Sequence, residues 1–174
     1  MNWEDDDNDF DFNYDDLSPE EKKEIEREMK EKDDYRENHP LFKQAEKIYL
    51  TVDSLLASFK EESHAEMYGN TMMESAMMLT PKLAGAIGSG SWLLSMQNAA
   101  LIRYHAEYLL TSTSGLQMFE EEEGAVDAGY VQILRDEVLE FQKLFAEWVK
   151  EINSMEHEEY VDEWGLFIRD KKII

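Results

Sequence analysis

The chain has 174 residues, 43% of them hydrophobic, which suffices for one domain with a buried core plus appended segments. It has no cysteine, which excludes disulfide scaffolding and thiolate chemistry. No stretch approaches the roughly 20 uninterrupted apolar residues that cross a bilayer.

The net charge is −23. Residues 1–40 hold 17 acidic and 6 basic side chains and residues 41–174 hold 23 and 11, so the negative charge divides almost evenly. Such a surface repels phosphate backbones and anionic membranes, which are bound through clustered Lys and Arg. Neither membrane association nor direct nucleic-acid binding is therefore expected. The charge favours solubility or attraction to a basic protein partner. Residues 1–16 are acidic, without the basic start and apolar run of a secretory signal, and the expected location is cytoplasmic.

Residues 1–17 read as a disordered acidic tail, since like charges repel and no helical period is present. Trp3, Phe10, Phe12 and Tyr14 are interleaved with its carboxylates and are candidate partner-binding residues. Residues 18–40 read as a charged helical arm and linker. Ser18-Pro19-Glu20-Glu21 is a helix start, with Ser18 as cap, proline in the first turn and Glu21 placed for a capping box. Only Ile25 and Met29 form an apolar pair on this helix, which is expected to be exposed and to end at His39-Pro40.

Residues 41–153 carry four apolar stripes and are expected to form an all-α, antiparallel up-and-down four-helix bundle. The first stripe is Leu41, Ala45, Ile48, Val52, Leu55 and Phe59. The second helix, about 64–88, begins at a Ser63/Glu66 capping box and turns Met73, Ala76, Met77, Thr80, Leu83, Ala84 and Ile87 inward. Met72 and Met78 then fall off the inner face and are candidate oligomer contacts. Pro81 is expected to kink this helix, Gly85 to permit close helix approach, and Gly88 to help end it. The third helix, 91–114, presents Trp92, Met96, Ala99, Ile102, Ala106 and Leu109, and Gly115 is expected to cap it in a left-handed conformation. Residues 117–127 read as an acidic loop. The fourth stripe is Val131, Leu134, Val138, Phe141, Phe145, Trp148 and Ile152, with Asp127 as cap. Residues 154–174 form a C-terminal aromatic tail. Its Trp164, Leu166 and Phe167 are too apolar to stay in water and are expected to dock on the bundle or on a neighbouring subunit.

A di-iron bundle takes a Glu-x-x-His from each of two helices, whereas only Glu61-x-x-His64 has that spacing here. No serine stands in a strand–turn–helix elbow. Gly88-Ser89-Gly90 follows a helix and lacks the lysine of a phosphate loop. Arg103 and Glu107 read as a surface ion pair, Tyr104 and Tyr108 as a packing pair, and His105 as a structural histidine. No catalytic, cofactor-binding or metal-binding residue is assigned, and the chain is read as not an enzyme.

The order Leu41-Phe42-Lys43-Gln44-Ala45, then Pro81 shortly before Gly85, Gly88 and Gly90, then an Ala- and Leu-rich third helix and Gly115, resembles a known group. That group comprises the four-helix-bundle proteins of 23S ribosomal RNA intervening sequences and the accessory proteins of diversity-generating retroelements. After the proline, Lys82-Leu83-Ala84-Gly85-Ala86 stands where the group usually has Asn-Ile-Ala-Glu-Gly. The resemblance implies a ring-like homo-oligomer, pentameric in this group, that acts without catalysis. The functional expectation is a non-catalytic oligomeric scaffold or adaptor that binds protein partners. The alternative is an accessory protein of an RNA or ribonucleoprotein system, with the acidic tail imitating nucleic acid.

Overall fold

A computed structural model describes residue 15 and residues 17–60, 65–123 and 126–155, with backbone alone at 119–123. Among these residues the protein is all-helical, with no strand. Its elements are α1 (Pro19–Asn38), α2 (Pro40–Ala57), α3 (Glu66–Ile87), α4 (Trp92–Glu123) and α5 (Ala128–Ser154). No helix of the described residues is long and apolar enough to cross a membrane.

α1 starts as its first residues dictate. The Ser18 N–H donates to Glu21 Oε2 at 2.8 Å, and the Glu21 N–H donates to Ser18 Oγ at 3.2 Å. This reciprocal capping box holds the Glu21 carboxyl below the usual carboxylate range. The helix buries none of its residues, as its charge-dominated composition requires.

At α2, His39 is extended and its Nδ1 accepts the Leu41 N–H at 3.3 Å, while Pro40 occupies the first turn, where no N–H is needed. Leu41, Ala45, Ile48, Val52 and Leu55 all reach the core, as their spacing predicts. Gln44 is also buried, a place its polarity would not suggest. Its Nε2 donates to the Glu137 carbonyl oxygen on α5 at 3.0 Å, which removes the cost of burying an amide.

Helices α2 to α5 pack in a cycle, each against two neighbours: α2 on α3, α3 on α4, α4 on α5 and α5 on α2. Cross-helix pairs fix the chain directions. Ser75 Oγ lies 3.3 Å from His105 Nδ1, and Gly85 faces Asn98, so α3 and α4 run oppositely. Arg135 Nη1 donates to the hydroxyls of Thr113 and Ser114, both at 3.1 Å, while Ala106 on α4 and Phe141 on α5 line one groove; α4 and α5 are therefore antiparallel. Leu41, Leu79, Ile102 and Phe141 are among the largest fully enclosed side chains, one from each helix of the cycle.

Two features depart furthest from the sequence reading. The first is the phase of α3. Its buried residues are Met72, Ser75, Ala76, Leu79, Leu83 and Ala86, so the inner face is rotated by about one residue from the expected one. Met72 is fully buried and Met77 is 56% exposed. Met72 is therefore a core residue and not an oligomer contact, while Met78 stays half-buried. α3 is rich in methionine and small residues on several sides, so its apolar period alone supports two phases. The Ser75–His105 contact requires the observed one, because a serine side chain faces inward only where it meets a polar partner.

The second departure is Gly115. It lies inside α4, which continues to Glu123, so neither the left-handed cap nor the loop over 117–123 forms. A Cβ at Gly115 would stand 2.9 Å from the Tyr68 hydroxyl; the glycine leaves room for a tyrosine of α3 rather than ending a helix. Ser112 and Thr113 donate to the Tyr108 and Leu110 carbonyl oxygens at 2.8 and 2.6 Å. Their hydroxyls thus bond within the helix instead of competing with it. Leu116, one residue later, is fully buried and fastens the extension.

Of the joints, α3 opens at Glu66 after Ala65 with no side-chain cap bond, so the expected capping box does not start it; the others follow the sequence. Gly88 ends α3, and Gly90 at φ +62° is the one described glycine in the left-handed region. Pro81 lies within α3, which continues through it to Ile87. Asp127 Oδ1 caps α5, accepting the N–H groups of Gly129 and Tyr130 at 2.8 and 3.4 Å.

Two measurements test this arrangement. Met72→Ala is expected to lower unfolding free energy by about 2–5 kcal/mol in urea, against about 0.5 kcal/mol or less for Met77→Ala. Equal effects would refute the observed phase of α3. The second concerns pH. Burial pulls the His39 imidazole below its ordinary pKa, opposed by the nearby Glu151 carboxylate, and burial followed by the Lys82 charge does the same to His105. Because the folded state disfavours both imidazolium forms, their stabilisation is complete above the ordinary histidine pKa, about 6.5. It declines as pH falls through that value toward the depressed ones. The urea midpoint should therefore fall between pH 7 and 5. His39→Asn, which retains a capping side chain and does not titrate, should show a smaller fall.

Candidate functional site

Among the described residues this packing leaves an apolar groove between α4 and α5, with a volume of about 360 Å³. Its origin is local. Ala106 on α4 and Ala146 on α5 carry short side chains where their neighbours carry long ones, and the space left is walled by Phe141, Phe145, Leu110 and Val149. The Phe141 and Phe145 rings lie nearly parallel with centroids 6.2 Å apart, and Phe145 tilts against Trp148 at 5.7 Å. This aromatic ladder makes the α5 wall stiff, because ring packing restricts the rotamers open to each member.

One pair of charges edges the groove. Arg103 Nε donates to Glu107 Oε1 at 2.8 Å, and both side chains are more than half exposed. The expected surface ion pair is therefore present, and it stands at the mouth of an apolar trough. An exposed pair of this kind is weakly held, so both ends can exchange partners at small cost. The volume lies at the lower end of the range for small-molecule sites, and the lining offers a shape for apolar side chains.

A second surface feature lies on α4. Leu94, Leu101 and Tyr104 are exposed and recur at steps of seven and three, which sets them on one side of the helix. Tyr104 stands edge-on to His105, with centroids 5.2 Å apart, whereas Tyr108 packs against the core.

The turn joining α3 and α4 is a closed hydrogen-bond cluster. Ser95 Oγ donates to the Ala86 carbonyl oxygen at 3.0 Å and lies 3.0 Å from Ser89 Oγ, which accepts the Ser91 N–H at 3.2 Å. These hydroxyls are used in joining two helices. Among the described residues no group of three or more His, Asp or Glu could hold a metal ion. On α5, Glu137 Oε2 is enclosed and has no hydrogen-bond partner among the described residues.

Of the residues singled out by sequence, Trp3, Phe10, Phe12, Tyr14, Trp164, Leu166 and Phe167 lie outside the described residues, as do Glu61, Ser63 and His64. Pro81, Gly85, Gly88 and Gly115 all belong to α3, its end or its contact with α4, and Met78 is half-buried on α3. Phe141, Phe145 and Ala106 were legible as inward-facing positions, but their role as groove walls was not. The usable signal was an alanine at 106 and another at 146, flanking a stripe of aromatics. Compared with protein-family models, with curated proteins and with solved structures, the chain matches none.

Proposed function

We propose that this protein is a non-catalytic scaffold: an antiparallel up-and-down four-helix bundle that assembles with copies of itself and holds protein partners. The observation that carries this reading is the exposed stripe Leu94, Leu101 and Tyr104 on α4. Large apolar side chains scattered singly on a surface need no explanation, whereas three on one side of one helix form a face suited to another protein. Met78 on α3, half-buried, is the candidate contact that remains once Met72 is assigned to the core.

The charge distribution bears on the partners. Excess negative charge on residues 41–174 makes copies repel at long range, so association has to come from apolar burial at short range. The acidic N-terminal residues, with Trp3, Phe10, Phe12 and Tyr14 among the carboxylates, suit a basic protein surface that also offers apolar pockets. This reading agrees with what the resemblance to ribosomal intervening-sequence and retroelement accessory proteins implies, a non-enzymatic ring of bundles.

The test is the mass of the native particle. Sedimentation equilibrium at micromolar concentration in moderate salt is expected to give a multiple of the 20.4 kDa chain mass. Leu101→Glu should reduce it to that of one chain while leaving the helical circular dichroism intact. A wild-type monomer under these conditions would end the scaffold reading.

A further inference from the structure

The groove between α4 and α5 leaves the apolar surfaces of Phe145 and Val149 bordering a trough open to solvent. We propose that its occupant is the chain's own C-terminal segment, residues 156–174, folded back along α5 with Trp164 and Phe167 in the groove. This docking is independent of whether copies of the chain assemble.

Reach permits it. Phe145 and Val149 precede Met155 by ten and six residues, about 15 and 9 Å along the helix axis. Nine residues separate Met155 from Trp164, up to about 30 Å of extended chain. Met155 is already extended, at φ −64° and ψ 137°, and packs against the core, so the chain leaves α5 in contact with the protein.

The pattern of the segment fits the groove as well. Tyr160, Val161, Trp164, Phe167 and Ile168 fall at i, i+1, i+4, i+7 and i+8, which gathers them into one apolar face if the segment is helical. Acidic residues crowd its N-terminal side, Glu156, Glu158 and Glu159 before it and Asp162 and Glu163 in its first turn, and a net basic stretch follows it at Arg169, Asp170, Lys171 and Lys172. The groove mouth repeats that order. Because α4 and α5 are antiparallel, Arg103 lies nearer the C-terminal end of α5 than Glu107 does. A segment running back along α5 therefore meets Arg103 with its acidic flank and Glu107 with its basic flank. The reverse direction would set like charges together.

Tethering favours this occupant over a free one. A segment joined by a short linker is present at an effective concentration of about a millimolar, so contacts too weak to hold a separate peptide at micromolar concentration suffice. The groove then releases its surface to a partner only when that partner displaces the segment.

The absence of cysteine makes the test direct, since an introduced pair has no competitor. In the full-length double variant Ala146→Cys, Gly165→Cys, mild oxidation should close a disulfide within one chain. The control is Glu147→Cys, Gly165→Cys, whose exposed position lies beside Ala146 along α5 but does not line the groove. Tethering is similar in both, so docking should give at least about tenfold faster closure for the groove pair. Equal rates would overturn the proposal. A disulfide between chains would also overturn it, by giving the groove to a second copy. As an independent readout on an uncrosslinked chain, Trp164→Phe should remove a blue-shifted component of tryptophan emission. Loss of a water-exposed component instead would place Trp164 outside any groove.

Discussion

One constraint governs this protein: four helices must each hide an apolar stripe, and only the others can cover it. None of α2 to α5 is apolar enough all round to be enclosed, nor polar enough to stand in water alone. Each places a residue such as Leu41, Leu79, Ile102 or Phe141 at the common centre. Burying such a side chain fully contributes about 1.5–3 kcal/mol, so the sum over the core dominates the surface ion pairs. α1 marks the contrast. It buries nothing, and its capping box and i, i+3 and i, i+4 pairs between Arg27 and Glu24 or Glu31 sustain a helix that has no apolar stripe to hide.

Within that constraint, a few polar groups decide how the helices meet. Ser75 with His105, Gln44 with the Glu137 carbonyl, and Arg135 with Thr113 and Ser114 each join two helices. Apolar packing tolerates sliding and rotation, whereas a buried amide or hydroxyl left without a partner costs about 1–3 kcal/mol. These contacts therefore select one phase from several of similar hydrophobic quality. The longest helix shows the consequence. α4 continues past Gly115 because Tyr68 fills the space beside that glycine and Leu116 is buried just beyond it.

The surface divides in character on the same helix. One side of α4 offers Leu94, Leu101 and Tyr104, exposed and convex, while its junction with α5 offers a concave trough bordered by Arg103 and Glu107. A convex stripe suits a second folded protein, and a trough suits one short segment. The chain carries a net charge of −23, so an acidic partner has to bring apolar area enough to offset repulsion, whereas a basic one is attracted. The proposed self-assembly and the proposed docking of residues 156–174 use separate features, so neither excludes the other.

The sequence by itself determined the helical class, the number of helices between Leu41 and Asn153, and the inward faces of α2 and α5. Their stripes are unambiguous, with Leu41 to Leu55 and Val131 to Ile152 repeating at threes and fours against charged neighbours. It also determined the caps at Ser18 and Asp127, because a cap is a contact among residues three apart or fewer. The tertiary structure alone decided the phase of α3, the helical state of Gly115 and the groove at Ala106 and Ala146. Each depends on an atom of another helix: His105 opposite Ser75, Tyr68 opposite Gly115, and Phe145 of α5 lining the groove with Ala106 of α4. Local spacing reports which residues avoid water, but not which neighbour they avoid it with.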